Sequence, residues 1–392
     1  VSKPRILLLD HTAEPGGAEL ALLRVVSVLH PQTDVRVLLF AHGPLVERFR
    51  SIGVQVAVKA LDKSVATASR DEVAAGLGHS AISALRFLPS LSRAIRGAHA
   101  DLVVANSLKS AAFAFFAAPL AGRRWVWHLH DRLSADYLPR SLLTAMRMIA
   151  VWGPRGIVVN SQATLDTLPR LARKKASIAY PGLPASAFEA ASPVMPRTIG
   201  LIGRISPTKG QHEFLDAAAK LAPEFPDVKF QVVGAALFGE DDYEADVRSL
   251  ARTLGIGERT EFTGWVSDAP VVLRRLSVLL HASPVPEPFG QVIVEGMAAG
   301  VPVVATAAGG VTEILDPAGR YALGGRPFRI TETGVLVRPG DPSALAGAIR
   351  LVLGDPEASA ARAALARDDA RHRFGIEETA SVVATAWAEA MR

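Results

Sequence analysis

Short blocks of branched aliphatic residues recur along this chain, separated by longer stretches whose apolar positions return every three or four residues. The first series is "RILLL" from Arg5, "VRVLLF" from Val35, "VQVAV" from Val54, "DLVVA" from Asp101, "RWVWHL" from Arg124 and "GIVVN" from Gly156. Strands apolar at consecutive positions, with helices between them, are what a parallel sheet covered on both faces requires. The rhythm breaks at "AYPGLPASAFEAASPVMPRT", residues 179–198, whose prolines and weak periodicity read as an interdomain linker. It restarts with "TIGLIG" from Thr198, "VKFQVVG" from Val228, "RTEFTG" from Arg259, "LSVLLHAS" from Leu276, "VPVVAT" from Val301 and "GVLVRP" from Gly334. Helical patterns near 210–223, 241–254, 290–299 and 342–353 fill the gaps. The pattern predicts two Rossmann-like α/β domains, 1–190 and 191–375, followed by a helix in 376–392 that periodicity alone does not place. Open α/β sheets present strand C-terminal ends and helix N-termini to ligands, so function is expected where those edges face each other across an interdomain cleft.

Composition narrows this picture. A chain of 392 residues exceeds what one core usually serves, and 49% hydrophobic with 21% charged residues describes a globular protein. The formal charge, 43 minus 38, is +5, and the pI is near 9.6. That is no nucleic-acid footprint; it suits a small phosphate-bearing ligand or an anionic membrane surface. Cysteine is absent, which excludes disulfides, thiolate catalysis and cysteine metal ligands. The first residues enter an apolar strand without signal-peptide architecture, and "AAFAFFAAPLAG" from Ala111 is too short to span a bilayer. The expectation is a cytoplasmic chain, with the inner face of the membrane as the place for a lipid acceptor.

The chemistry-bearing stretches follow strands. In "DHTAEPGGAE", Gly16 and Gly17 precede a helix, which suits either a tight turn or a ligand close to backbone amides. The spacing is not the GxGxxG of dinucleotide folds. In "GRISPTKGQ", Arg204 and Lys209 offer a planar donor fork and a mobile charge, both suited to diphosphate oxygens. "PEPFGQVIVEGMAAGVPVVAT" carries Glu287 and Glu295 eight positions apart. In one continuous helix they would lie about 12 Å apart along the axis. Pro286, Pro288 and Gly290 instead place Glu287 in a loop and start the helix near Gly290 or Gln291, whose amides suit anionic oxygens. Gly309 and Gly310 supply a further close approach. In "WVWHLHDRLSADYLP", His128 and His130 share a strand face and Asp131 adds a carboxylate, yet no HExxH or cysteine pattern supports a metal. Asn106, Ser107 and Ser161 end strands and can line the same cleft. Trp125, Trp127 and Tyr137 suit an apolar or ring-shaped acceptor or simply pack the sheet.

Taken in order, "EPGGAE", "HLHD", "VVNS", "GRISPTKG", "FTGWVSD" and "EPFGQVIVEGMAAGVPVVAT" make the chain resemble the retaining GT-B glycosyltransferases of family 4, whose E-x7-E signature matches Glu287 and Glu295. The resemblance implies that Gly17 closes over phosphates and that Arg204 and Lys209 bind the donor diphosphate. Glu287, with the backbone of Phe289, Gly290 and Gln291, would hold the transferred sugar and the adjoining anionic oxygens. Glu295 would take the ribose hydroxyls, and Gly264, Trp265 and Val266 would border the base. His130 would contact the donor sugar, while Gly16, Asn106, Asp131 and Tyr137 stand on the acceptor side. It also places the last helix on the N-terminal domain.

The implied activity is transfer of a hexosyl-type sugar from a nucleoside diphosphate sugar, UDP or GDP, to a hydroxyl acceptor with retention. No cofactor and no metal are expected, because a cationic clamp and helix amides can neutralise the departing diphosphate. The alternatives are a nucleotide-sugar epimerase or hydrolase on the same scaffold, or a non-catalytic nucleotide-sugar-binding protein. The sequence leaves the oligomeric state open.

Overall fold

The computed structural model describes residues 3–61, 78–189, 197–237, 239–266 and 269–392. The chain divides into two compact units, 1–182 with 376–392, and 183–375. Each holds one seven-stranded sheet.

In unit 1 the strands β1 (Arg5–Asp10), β2 (Asp34–Leu39), β3 (Gln55–Val58), β4 (Leu102–Ala105), β5 (Arg124–Leu129), β6 (Gly156–Val159) and β7 (Ala176–Ile178) lie in the order β3-β2-β1-β4-β5-β6-β7. All neighbours are parallel. Strand alternation divides the aliphatic blocks between two cores, which is why they are apolar at consecutive positions. Leu7, Leu9, Val103 and Ala105 join the helix Leu108–Leu120 on one face, while Ile6, Leu8, Leu102 and Val104 join the helix Gly17–Leu29 on the other.

The helix Ile376–Met391 completes that second face. Ala380, Val383, Ala386, Trp387 and Ala390 recur at helical spacing and are buried there. Trp387 Nε1 donates to His128 Nε2 at 3.0 Å, Thr379 Oγ1 to the Tyr180 carbonyl at 2.8 Å, and Arg124 to the Met391 carbonyl at 2.7 Å. Side-chain anchors along its length thus support an apolar face that periodicity could identify but not locate.

Unit 2 contains β8 (Thr198–Ile202), β9 (Lys229–Val233), β10 (Thr260–Gly264), β11 (Val278–His281), β12 (Val303–Thr306), β13 (Phe328–Ile330) and β14 (Val335–Val337). Their order is β10-β9-β8-β11-β12-β14-β13, and β13 alone runs antiparallel to its neighbour. The expected pair of parallel α/β sheets is therefore present, with two additions, β7 and β13, that the aliphatic pattern did not predict. The Pro-rich stretch also begins differently from the expected linker. Leu183 and Phe188 are buried, the Leu183 amide donates to the Phe374 carbonyl at 2.9 Å, and Arg371 donates to the Phe188 carbonyl at 2.8 Å. Unit 2 consequently starts at 183 rather than 191, because these contacts tie 183–189 to its last helix, Pro356–Arg373. The remainder of the stretch, 190–196, lies outside the described residues.

Each strand order reverses direction once near its middle, between β1 and β4 in unit 1 and between β8 and β11 in unit 2. Such switch points open a crevice at the strand C-terminal ends, since the adjoining connections leave toward opposite faces. Among the described residues no helix is long and apolar enough to cross a membrane.

Candidate functional site

The switch point of unit 2 brings together the loops after β8 and β11. Gly210 has φ +78°, and a Cβ there would lie 2.1 Å from the Ala282 carbonyl oxygen, so only glycine lets the first loop press against the second. Lys209, next to it, donates from Nζ to Glu287 Oε1 at 2.6 Å. His281, the last residue of β11, brings Nε2 to 3.3 Å from the same oxygen, and Thr306 Oγ1 lies 3.2 Å from its Nδ1. Glu287 and His281 are buried. Burial alone would raise the Glu287 carboxyl, but Lys209 and His281 outweigh it and hold the group well below the usual carboxylate range. The result is a buried anion with a partly exposed ammonium beside it.

Arg204 approaches Glu240 Oε2 at 3.3 Å, and Ser206 Oγ donates to Glu240 Oε1 at 3.0 Å. Gln211 Nε2 donates to the Arg204 carbonyl at 2.9 Å, fixing the loop that carries both cations. Past Glu287, the helix Gln291–Ala298 starts directly after Gly290, whose φ is +108°. The Phe289 ring is buried edge-on against Phe374, with centroids 5.7 Å apart, so at this position only the backbone is left for a ligand. Gln291 Nε2 donates to Glu295 Oε1 at 2.9 Å, which pairs the two along one helix face.

Gly309 and Gly310 serve the protein rather than a ligand. A Cβ at Gly309 would sit 2.1 Å from the Glu287 carbonyl oxygen, and one at Gly310 would sit 2.5 Å from that of Pro288. The Gly310 amide donates to the Glu287 carbonyl at 2.9 Å. This backbone lamination holds Glu287 out of the helix. Elsewhere in the unit, Gly264 closes β10 with φ +69°, and the Trp265 side chain following it is 48% exposed. Ser267 and Asp268 of "FTGWVSD" lie outside the described residues.

At the switch point of unit 1, Asp10 ends β1 and Asn106 follows β4. Asn106 Nδ2 donates to Asp10 Oδ2 at 2.7 Å, and its Oδ1 lies 3.0 Å from His130 Nε2. The His11 amide donates to Asp10 Oδ1 at 2.7 Å, and His11 Nδ1 lies 2.9 Å from Ser107 Oγ. Burial lowers the His130 pKa, against the opposing effect of Asp131 and Asp10, so the ring is neutral. Tyr137 donates to Asp131 Oδ1 at 2.8 Å, joining two of the expected acceptor-side residues.

Gly16 and Gly17 begin the helix Gly17–Leu29, and a Cβ at Gly16 would lie 2.4 Å from Glu19 Oε2. The space that a side chain would take at Gly16 is thus filled by the end of Glu19. Burial, then the charge of Asp10, pushes the Glu19 carboxyl well above its ordinary value. Asp10, His11 and Glu19 bring one ligand atom each within 4.8 Å of one another. Asp10's oxygens already accept from the His11 amide and from Asn106 Nδ2.

Of the two readings open for Trp125 and Trp127, packing of the sheet is the one observed: both are buried in its core. His128 is a structural residue under Trp387, its ring stacked at 5.8 Å between centroids. Asp10, His281 and Glu240 escaped the sequence reading. For the first two a signal existed: a polar residue closing an otherwise apolar strand, in "RILLLD" and "VLLH".

Residues 184–369 match the family model described as "Glycosyl transferases group 1". The 2-deoxystreptamine glucosyltransferase of Streptomyces kanamyceticus is 31% identical over 186 residues, 47% of this chain and 43% of that protein. The phosphatidyl-myo-inositol mannosyltransferase of Mycobacterium leprae (strain TN) is 31% identical over 273 residues, 68% of this chain and 61% of that one. The chain spans about half the length of the curated relatives it matches. Among solved structures, Anabaena Alr3699/HepE in complex with UDP and glucose superimposes with a TM-score of 0.80 at 28% identity, covering 97% of this chain and 98% of that one. The match to the group 1 glycosyl transferases thus lies in residues 184–369, within a chain whose two seven-stranded Rossmann-like units are those of the GT-B fold.

Proposed function

We propose that this protein is a retaining, family 4 type glycosyltransferase that moves a hexosyl-type sugar from a nucleoside diphosphate sugar, UDP first, to a hydroxyl acceptor. The observation that carries the reading is the Lys209–Glu287 pair at the unit 2 switch point, beside a helix N-terminus and inside the matched region. A buried carboxylate held ionised is an acceptor for sugar hydroxyls, while ammonium, guanidinium and helix amides are donors for a diphosphate. HepE, the relative crystallised with UDP and glucose, supports the choice of UDP.

Unit 2 serves the donor. Arg204 and Lys209 neutralise the charge that develops on the departing diphosphate, joined by the amides of Gly290 and Gln291. Glu287 and the Phe289 backbone orient the sugar, Glu295 takes ribose hydroxyls, and Gly264, Trp265 and Val266 border the base. Unit 1 contributes Gly17 at the donor phosphates and His130 at the donor sugar, with Gly16, Asn106, Asp131 and Tyr137 on the acceptor side. The cations replace a divalent ion, so no metal is required. Attack and departure occur on the same sugar face, with the leaving phosphate oxygen accepting the acceptor's hydroxyl proton as the new glycosidic bond forms.

Thermal denaturation with UDP, GDP, ADP and dTDP sugars tests the donor. A ligand at a hundredfold excess over its Kd stabilises the folded state by about 2.7 kcal/mol. UDP sugars are expected to give the largest shift, with transfer persisting in EDTA. The reading fails if no nucleotide sugar raises the melting temperature, or if chelation abolishes transfer. Because relatives are named for 2-deoxystreptamine, D-inositol 3-phosphate and phosphatidyl-myo-inositol, cyclitols head the acceptor panel.

A further inference from the structure

Asp10 has itself been assigned no role so far, yet it is buried at the switch point of unit 1 and bonded to Asn106, itself fully buried. A carboxylate only accepts hydrogen bonds, so the Asn106 end at 2.7 Å from Asp10 Oδ2 must be its NH2 group. Turning the amide over would set oxygen against oxygen. The carbonyl end then faces His130 Nε2 at 3.0 Å, and because a carbonyl cannot donate, Nε2 must carry the hydrogen. A neutral imidazole has one N–H, so Nδ1 is left with the lone pair.

We infer that Asp10 is a positioning residue which, acting through Asn106, locks His130 as the Nε2–H tautomer and so dedicates Nδ1 to accepting a hydrogen bond from a sugar hydroxyl. The anchoring is geometric at each step. Asp10 is held by the His11 amide at 2.7 Å, and the Asn106 backbone donates to the Leu9 carbonyl at 3.0 Å. Asp10 ends β1 and Asn106 directly follows β4, the parallel neighbour of β1, so paired backbone fixes both side chains. Burial, which lowers the His130 pKa, removes the doubly protonated form and leaves tautomer choice to Asn106. The consequence is selectivity by hydrogen-bond polarity. A hydroxyl can donate to Nδ1, whereas a fluorine at the same sugar position cannot; the opposite tautomer would lose that discrimination, because a hydroxyl oxygen can also accept.

The involvement of a sugar hydroxyl rests on the proposed transferase reading; the tautomer lock does not, and the experiment separates them. Long-range proton–nitrogen correlation spectra of the full chain with 15N-labelled histidine report each ring, His130 being assigned by its loss in His130→Gln. The expected pattern is a pyrrole-type Nε2 and a pyridine-type Nδ1 at neutral pH in the absence of substrate. In Asp10→Asn the new amide can donate or accept, so Asn106 is free to turn over. The His130 signals should move toward a tautomer mixture, and kcat/KM for the donor should fall roughly 2- to 10-fold, as for one lost hydrogen bond. Asn106→Ser, which keeps a small polar group without a fixed donor and acceptor end, should release the tautomer in the same way and stands in should Asp10→Asn fail to fold. A protonated Nδ1 in the unmodified protein, or an unchanged His130 pattern in a folded Asp10→Asn or Asn106→Ser, overturns the inference. The expected spectra in a protein that transfers no sugar would overturn the transferase reading alone.

Discussion

Acidification should unfasten the C-terminal helix from unit 1 through one buried ring. His128 Nε2 accepts from Trp387 Nε1 at 3.0 Å, so protonating that nitrogen would set N–H against N–H and bury a charge. Burial, with a smaller contribution from His130, lowers the His128 pKa to about 3 from an unfolded value of 6.5. The folded pKa lies below the unfolded one, so the folded protein binds fewer protons. The associated stability is fully present above pH 6.5 and is lost as the pH falls toward 3. At pH 4.5, two units below the unfolded value, the loss is on the order of 3 kcal/mol. His128→Gln cannot titrate, while its side-chain oxygen can accept from Trp387. Urea unfolding at pH 7.5 and 4.5, followed by tryptophan fluorescence, gives the comparison. Trp125, Trp127 and Trp387 are buried in unit 1, whereas Trp265, the one tryptophan of unit 2, is half-exposed, so replacing it (Trp265→Phe) in both proteins confines the signal to unit 1. The native protein should lose on the order of 3 kcal/mol more than His128→Gln between the two pH values. An identical pH dependence in both proteins would refute the buried neutral histidine.

At the unit 2 site, Glu287→Gln should reduce turnover by roughly 100-fold or more while the nucleotide-induced thermal shift persists, because the carboxylate is assigned to the sugar. Loss of the nucleotide shift would reassign it. Gly309→Ala should lower the melting temperature and turnover together, since its φ of +64° and a Cβ 2.1 Å from the Glu287 carbonyl oxygen force that segment to move; a variant with native activity would show the lamination to be dispensable. Glu19 has a folded pKa above its unfolded value, so the stability it contributes is present below pH 4.5 and is lost as the pH rises through the folded value. Thermal melts from pH 4 to 9 should therefore show Glu19→Gln gaining on the native protein as the pH rises, and a constant difference would exclude a retained proton.

The sequence by itself determined the two sheets, because strands apolar on both faces have nowhere to go but the middle of an α/β layer. It also determined that Glu287 lies outside the helix bearing Glu295, since prolines on both sides of Glu287 and Gly290 after it leave no room for a continuous helix. Tertiary structure decided the rest. "ASI" and "FRI" became β7 and β13 only because a neighbouring edge offered unpaired amides, and three-residue edge strands carry no aliphatic run to announce them. The linker lost its first residues to unit 2 through the contacts of Leu183 and Phe188, partners almost two hundred residues away in sequence. Gly16, Gly309 and Gly310 looked like openings for a ligand, but whether the space beside a glycine is empty depends on which other segment packs there. Asp10 and His281 acquired their meaning in the same way. A polar group ending a buried strand can be seen in the sequence, while its partner cannot: Asp10 meets Asn106 across the reversal in strand order, and His281 meets Glu287 only because the loop after β11 folds back on that strand's end.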